Sequence, residues 1–242
     1  MMPPISENTA LFLDIDGTLL DLAHSPDRVK VPYQLRRALE KLFHQLSGAL
    51  AFVSGRSLDS IDRLFAPFRP AAIGAHGGEI RGVDGAVTRG RPLPEPVREL
   101  FVALAGRNPG LLLEDKGCAM ALHFRLAPEA QSGLVSDIEA HAQLFEAEKV
   151  RILQGKAVIE ACHEGVNKGT AVAALAGQEP FAGRSILFGG DDVTDLDVFR
   201  ILPALGGYGF SVGKRFAGAN HVFLSPHAVR QWLVHAAEGG LR

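Results

Sequence analysis

Residues 10–22 read ALFLDIDGTLLDL. An apolar run of the kind that belongs in a protein interior is broken by Asp14 and Asp16, and then resumes. One unpaired buried charge is already costly, and a second like charge beside it raises the energy of both. On a strand, side chains alternate, so Asp14 and Asp16 point the same way while Ile15 enters the opposite layer. Asp16-Gly17 between apolar runs is also a strong turn signal. A turn accounts for Asp16 but not for Asp14, which falls where a buried strand should end. The natural remedy for paired carboxylates there is a divalent cation. Mg²⁺ takes hard oxygen ligands, commonly one or two carboxylates, several waters and a substrate phosphate.

Working outward, GALAFVS (48–54), RSILFGG (184–190) and HVFLS (221–225) are short apolar runs like the first. Each ends at a polar or glycine cluster, as buried strands do. Between them, residues 32–46, 57–65, 167–176, 194–202 and 226–237 have helical spacing. Ser57 and Asn167 are suited to N-cap positions and Gly177 to a position just past a helix end. Strands alternating with helices predict a parallel sheet covered on both faces, with ligands bound beyond the carboxyl ends of the strands. Asp14, Ser54 and Asp191 all fall at such ends.

The middle of the chain has a different pattern. LLLED (111–115), CAMALHFR (118–125), KVRILQ (149–154) and KAVIEAC (156–162) alternate with period two. The last two are expected to form a hairpin turning at Gln154-Gly155. A helical pattern from Pro128 to about Phe145 lies between the two pairs. This predicts a small α+β lobe at 93–163 inserted into a core formed by 1–92 and 164–242. PLPEP (92–96) and HEGVN (163–167) are the expected hinges. Within the lobe, Met120, Leu122 and Phe124 share one face, and Ala121, His123 and Arg125 the other. Ala157, Ile159 and Ala161 likewise oppose Val158, Glu160 and Cys162. One sheet face can therefore pack on helices, while the other collects His123, Arg125 and Glu160, with Lys116 at the strand's start. That second face is either a solvated exterior or a binding surface.

Composition narrows the function classes. The 242 residues are 47% hydrophobic and 21% charged, with a formal net charge of -2. That balance gives no global electrostatic reason to bind nucleic acid or an anionic membrane. No apolar run approaches the roughly 20 residues needed to span a bilayer. Two cysteines, Cys118 and Cys162, form no CxxC pair and imply no disulfide framework. With no signal-peptide pattern at the N-terminus, the expected location is the cytoplasm. Oligomeric state stays open, a monomer included.

Three further stretches carry chemistry. GGDDVTDLDVF (189–199) follows a buried strand with Asp191, Asp192, Asp195 and Asp197. Acids at a helix N-terminus are favoured by the macrodipole, which explains such a cluster without a ligand. Two acidic strand ends converging in one sheet instead suggest a shared metal. VSGRS (53–57) puts a hydroxyl, Ser54, and Arg56 where backbone N–H groups begin a helix, an arrangement suited to phosphate oxygens. GVNKGTAV places Lys168 in a helix's first turn, where a cation opposes the dipole; an anion held there would relieve the conflict.

In this order, DIDGTLL, VSGR, Lys168 and GGDDVTD resemble the four signature motifs of the haloacid dehalogenase (HAD) superfamily of phosphotransferases. The resemblance covers nearly the whole chain, with a C2-type cap between the second and third motifs. The segments VSGRS, GAHGGEIR (74–81), KGCAMALHFR (116–125), VIEACHEGVNKG (158–169) and GGDDVTDLDVF further resemble trehalose-6-phosphate phosphatases. One departure stands out: after Glu160 the family usually has a basic residue and then proline, where this chain has Cys162 and His163.

The resemblance implies an α/β fold, a HAD-like Rossmannoid parallel-sheet core with an inserted α+β cap. It implies a phosphoric monoester hydrolase using Mg²⁺, with a small-molecule sugar phosphate as substrate and neither nucleic acid nor membrane as partner. Asp14 would be the nucleophile that forms an aspartyl-phosphate, and Asp16 the general acid and base. Ser54 and Lys168 would hold the transferring phosphoryl group. The metal set would be Asp14, Asp16 through its backbone carbonyl, Asp191, and Asp195 as a ligand or a neighbouring acid. Arg56, Gly77, Lys116, His123, Arg125 and Glu160 would bind substrate. Another capped sugar-phosphate phosphatase, of the sucrose-phosphate or mannosyl-3-phosphoglycerate type, and a sugar phosphomutase remain alternatives.

Overall fold

The computed structural model describes residues 2–22, 30–155 and 157–241. These fall into two compact units, one formed by residues 1–88 and 167–242 and the other by 89–166. The larger unit begins with β1 (Thr9–Leu13), α1 (Tyr33–Gln45), β2 (Leu50–Val53), α2 (Leu58–Phe65), β3 (Ala71–Gly74), β4 (Glu79–Arg81) and β5 (Val87–Arg89). The smaller unit contains α3 (Glu95–Gly106), β6 (Leu112–Asp115), β7 (Ala119–His123), α4 (Gln131–Ala140), α5 (Ala142–Ala147), β8 (Val150–Gly155) and β9 (Val158–His163). The larger unit then resumes with α6 (Lys168–Ala176), β10 (Ser185–Gly190), α7 (Leu196–Ile201), β11 (Tyr208–Val212), β12 (His221–Phe223) and α8 (Pro226–Gly239). Among the described residues no helix is long and apolar enough to cross a membrane.

The larger unit is organised around an eight-stranded sheet of order β12-β11-β10-β1-β2-β3-β4-β5. The opening stretch supplies β1, which is parallel to both β10 and β2. Ala10, Leu11, Phe12 and Leu13 are completely buried, because a central parallel strand is covered on both faces. α1 turns Leu35, Ala38, Leu39 and Leu42 inward at helical spacing. Aromatic rings fill much of the interior; Phe52 stacks on Phe65 with ring centroids 4.2 Å apart.

Several elements escaped the periodicity reading. β3 is four residues long, β4 pairs antiparallel to it, and β11 is diluted by glycine and serine, so none carries a run long enough to register. α3 starts within the proline-rich segment expected to be a hinge, since proline is tolerated in a helix's first turn. The long helical pattern after Pro128 is interrupted at His141, giving α4 and α5. Gly177 does end α6, but with φ of -81°, so its left-handed freedom is not used. The hairpin reverses later than expected: Gly155 pairs with Val158. Lys156 lies outside the described residues.

The smaller unit is an antiparallel sheet of order β6-β7-β9-β8. Met120, Leu122, Phe124, Ile159 and Ala161 pack with Val97, Phe101 and Leu104 of α3 and with Leu134, Ile138 and Phe145. The unit boundaries stand at 88/89 and 166/167, against 92/93 and 163/164 expected. His163 is the last residue of β9, and its Nε2 bonds the Pro92 carbonyl at 3.0 Å, which ties both connecting segments into the smaller unit.

Truncating a buried aromatic in the larger unit removes contacts that its surroundings cannot restore by collapse. Phe52→Ala should lower unfolding free energy by about 3–5 kcal/mol. Urea denaturation would read this as a lower midpoint with an unaltered m-value.

Candidate active site

The strand ends named by the sequence converge in the larger unit. Asp14 follows β1, Ser54 follows β2 and Asp191 follows β10, and these three strands are neighbours. Beyond Asp14 the chain turns tightly: Gly17 has φ of +85° and its N–H donates to the Leu20 carbonyl at 2.7 Å. A side chain at Gly17 would also collide with the Asp191 carboxylate, so the glycine is required twice over.

Lys168, the first residue of α6, is the centre of the charge arrangement. Its Nζ donates to Asp14 Oδ1 at 2.8 Å and to Asp195 Oδ1 at 2.7 Å. Two carboxylates thus meet its conflict with the helix dipole. Asp14 Oδ2 accepts from the Thr18 hydroxyl at 2.9 Å. Asp195 Oδ2 accepts the N–H groups of Asp191 and Asp192 at 2.8 and 2.9 Å. Asp195 therefore performs the helix-start role that its position suggested while also facing Lys168. The remaining acids of that stretch diverge: Asp197 pairs with Arg200, and Asp192 is only partly buried.

Carboxylate oxygens of Asp14, Asp191 and Asp195 lie within 4.8 Å of one another, and all three residues are buried. Burial pushes the Asp14 carboxyl well above the usual range; Lys168 opposes this, and Asp195 and Asp191 add to it. Burial would lower the Lys168 ammonium, but Asp14 and Asp195 outweigh it and hold it above the ordinary lysine value. With all three acids ionised, one ammonium would leave two negative charges in the protein interior. A hard divalent cation would balance that excess, and the all-oxygen donor set suits one.

Arg56 and Asp16 form the second feature. Arg56 Nε donates to Asp16 Oδ2 at 2.6 Å and a terminal nitrogen donates to Oδ1 at 2.7 Å, a bidentate pair. Asp16's side chain thus stands with Arg56, and the acidic cluster consists of Asp14, Asp191 and Asp195. Arg56, expected at the substrate, grips Asp16 here. Ser54 Oγ accepts the Arg56 N–H at 3.1 Å, bracing the turn, and the hydroxyl proton can still be donated. Ser57 caps α2, and the buried Glu79 accepts the Leu58 N–H at 2.7 Å. Glu79 went unnoticed in the sequence because one carboxylate in GAHGGEIR has no periodic partner.

Gly77 has φ of +107°, and a Cβ there would stand 2.5 Å from the Asn167 carbonyl. Its close approach is to the residue that caps α6, so the GAHG turn packs against the helix end carrying Lys168.

In the smaller unit, Lys116 Nζ donates to Glu160 Oε2 at 2.9 Å, with the two side chains 4% and 5% exposed. A solvated exterior is thereby ruled out for this pair. Glu114 joins them: its carboxylate is 3.0 Å from His123 Nε2 and 4.0 Å from Lys116 Nζ. Burial would raise Glu114's carboxyl, but the His123 hydrogen bond and the Lys116 charge hold it below the usual range. The sequence reading missed Glu114, although it is two residues before Lys116 and period-two spacing could have found it. Arg125 is half-buried just beyond β7.

The trehalose-phosphatase family model matches residues 12–221. The chain is 46% identical over 210 residues to a probable trehalose-phosphate phosphatase of Sinorhizobium fredii, covering 86% of this chain and 78% of that one. It is 36% identical over 235 residues to the trehalose-6-phosphate phosphatase of Escherichia coli, covering 96% and 87%. The C-terminal domain of Candida albicans trehalose-6-phosphate phosphatase superposes with a TM-score of 0.82 at 21% identity, over 98% of this chain and 93% of that one, a likeness of fold. A trehalose-6-phosphate phosphatase related protein gives 0.77 at 26% identity, over 95% and 97%. With motifs, strand order and family match in agreement, the chain belongs to the trehalose-phosphatase family.

Proposed function

We propose that the protein hydrolyses trehalose 6-phosphate to trehalose and phosphate, the last step of trehalose biosynthesis, through an aspartyl-phosphate on Asp14. The observation that carries the chemistry is the buried cluster of Asp14, Asp191 and Asp195 around Lys168. The family match supports the substrate. The larger unit serves as the catalytic core and the smaller one as the cap that selects the sugar.

Mg²⁺, held by Asp14, Asp191 and the Asp16 backbone carbonyl, would supply Lewis-acid charge at the phosphoryl oxygens. Asp195 anchors Lys168 and the loop that carries Asp191. In the first half-reaction an Asp14 carboxylate oxygen bonds phosphorus and the bond to the sugar oxygen breaks. Asp16 gives that oxygen its proton, and trehalose leaves. In the second, Asp16 takes a proton from water, the water oxygen bonds phosphorus, and the acyl-phosphate bond breaks to return Asp14. Lys168 and Ser54 stabilise the transferring group, chiefly by charge and position. Arg56 fixes the direction in which Asp16 presents its carboxyl group. In the cap, Glu160 and Glu114 accept from sugar hydroxyls, while Lys116, Arg125 and His123 complete the polar face. Cys118 and Cys162 are buried and form no disulfide, which suits the reducing cytoplasm.

The deciding experiment is phosphate release from trehalose 6-phosphate, with Mg²⁺ and with EDTA, beside glucose 6-phosphate, sucrose 6-phosphate and an aryl phosphate. Turnover should require the metal and strongly favour trehalose 6-phosphate. Preference for another ester would overturn the sugar assignment, and isomerised sugar phosphate in place of free phosphate would identify a mutase. Asp14→Asn should cut turnover by at least about 10³-fold, with the melting temperature retained. Near-normal release by that variant would remove Asp14 as nucleophile. Glu160→Gln should reduce kcat/KM for trehalose 6-phosphate about tenfold or more beyond its effect on the aryl phosphate. Equal losses on the two substrates would place Glu160 outside the sugar site.

A further inference from the structure

The smaller unit's polar face is built in rows across its antiparallel sheet, because directly opposed residues share a face. One row is Glu114, Ala121, Glu160 and Leu153. The next contains Ala119, Cys162 and Arg151, with Lys116 bonded through its backbone N–H to Ala119 at its edge. Ala119 and Ala121 have no side chain beyond Cβ. Long side chains from either side can therefore meet over β7, as Lys116 of the β6–β7 turn and Glu160 of β9 do.

Arg151 is half-buried on β8, directly across the strand pair from Cys162 and one row from Glu160. Glu160 and Cys162 are two positions apart on β9 and so share this face, where Lys116 reaches Glu160. The resemblance to trehalose-6-phosphate phosphatases implies a basic residue at the position of Cys162. This chain has a buried thiol there and a guanidinium directly across the strand pair.

Resting on the assignment of this face to the sugar, we propose that Arg151 is a specificity residue of the cap, supplying from β8 the cation that the family's pattern places at position 162. The chemistry fits a polyol. A hydroxyl both donates and accepts, and this face offers two carboxylates as acceptors with ammonium and guanidinium groups as donors. Arg151 widens the donor side of that set beyond Lys116.

The test compares Arg151→Ala, Glu160→Gln and the double variant Arg151→Ala/Cys162→Arg on trehalose 6-phosphate and an aryl phosphate. Trehalose inhibition of aryl phosphate hydrolysis serves as a readout of the sugar side alone. Arg151→Ala should lower kcat/KM for trehalose 6-phosphate about tenfold or more beyond its effect on the aryl phosphate, and weaken trehalose inhibition in step. Adding Cys162→Arg should recover much of both losses. If Glu160→Gln shows the selective loss and Arg151→Ala does not, Arg151 is outside the sugar face and the proposal fails while the cap assignment stands. If neither does, the cap assignment itself fails and takes this proposal with it. No recovery in the double variant would refute the equivalence of the two positions. Should Arg151→Ala not fold, Arg151→Gln carries the same comparison.

Discussion

The ammonium of Lys168, shared between Asp14 and Asp195, is the interaction on which the rest of the larger unit's site depends. Carboxylates at the ends of adjacent buried strands would repel one another across a low-dielectric gap. Lys168 reduces that repulsion, and it reaches them because Asn167 caps α6 and Gly77 lets the neighbouring turn pack against the capping residue. Asp195 in turn is fixed by two backbone N–H groups. The charge that Lys168 leaves unbalanced is what makes the cluster suited to a divalent cation.

Around this centre the backbone accommodates rather than directs. Gly17 keeps clear of the Asp191 carboxylate, and Glu79 holds the start of α2 so that the turn carrying Ser54 and Arg56 is braced. The bidentate grip of Arg56 on Asp16 separates the two aspartates of the opening stretch by task. One is committed to the buried cluster, the other to a partly exposed guanidinium pair. Two residues of the same type, two positions apart, acquire different chemistry from their partners.

The smaller unit solves a related problem with a different geometry. Its charges lie across a sheet face, and they are balanced between neighbouring rows: Glu114 against His123 and Lys116, and Lys116 against Glu160. Small residues on the middle strands let these pairs close. The opposite face is mainly apolar and packs on helices, so the sheet keeps most of its apolar side chains on one face and these charged pairs on the other.

Much of this was legible in the sequence. The alternation around Met120 and Leu122, the caps at Ser57 and Asn167, and the strand ends at Asp14, Ser54 and Asp191 follow from local periodicity and turn chemistry. Those signals act over two to four residues, which is the range at which side chains on one element meet. The short strands β3, β4 and β11 and the helix α3 fell below that signal, because their sequences are brief or interrupted by glycine and proline. The partnerships could not be read in the same way. Lys168 meets Asp14 across 154 positions, Arg56 meets Asp16 across 40, and Arg151 meets Cys162 only through hairpin register. The sequence by itself determined which acids and bases exist and where elements begin and end. Tertiary structure alone decided which charge neutralises which, because Coulomb energy and desolvation depend on distance through space, and folding sets that distance independently of separation along the chain.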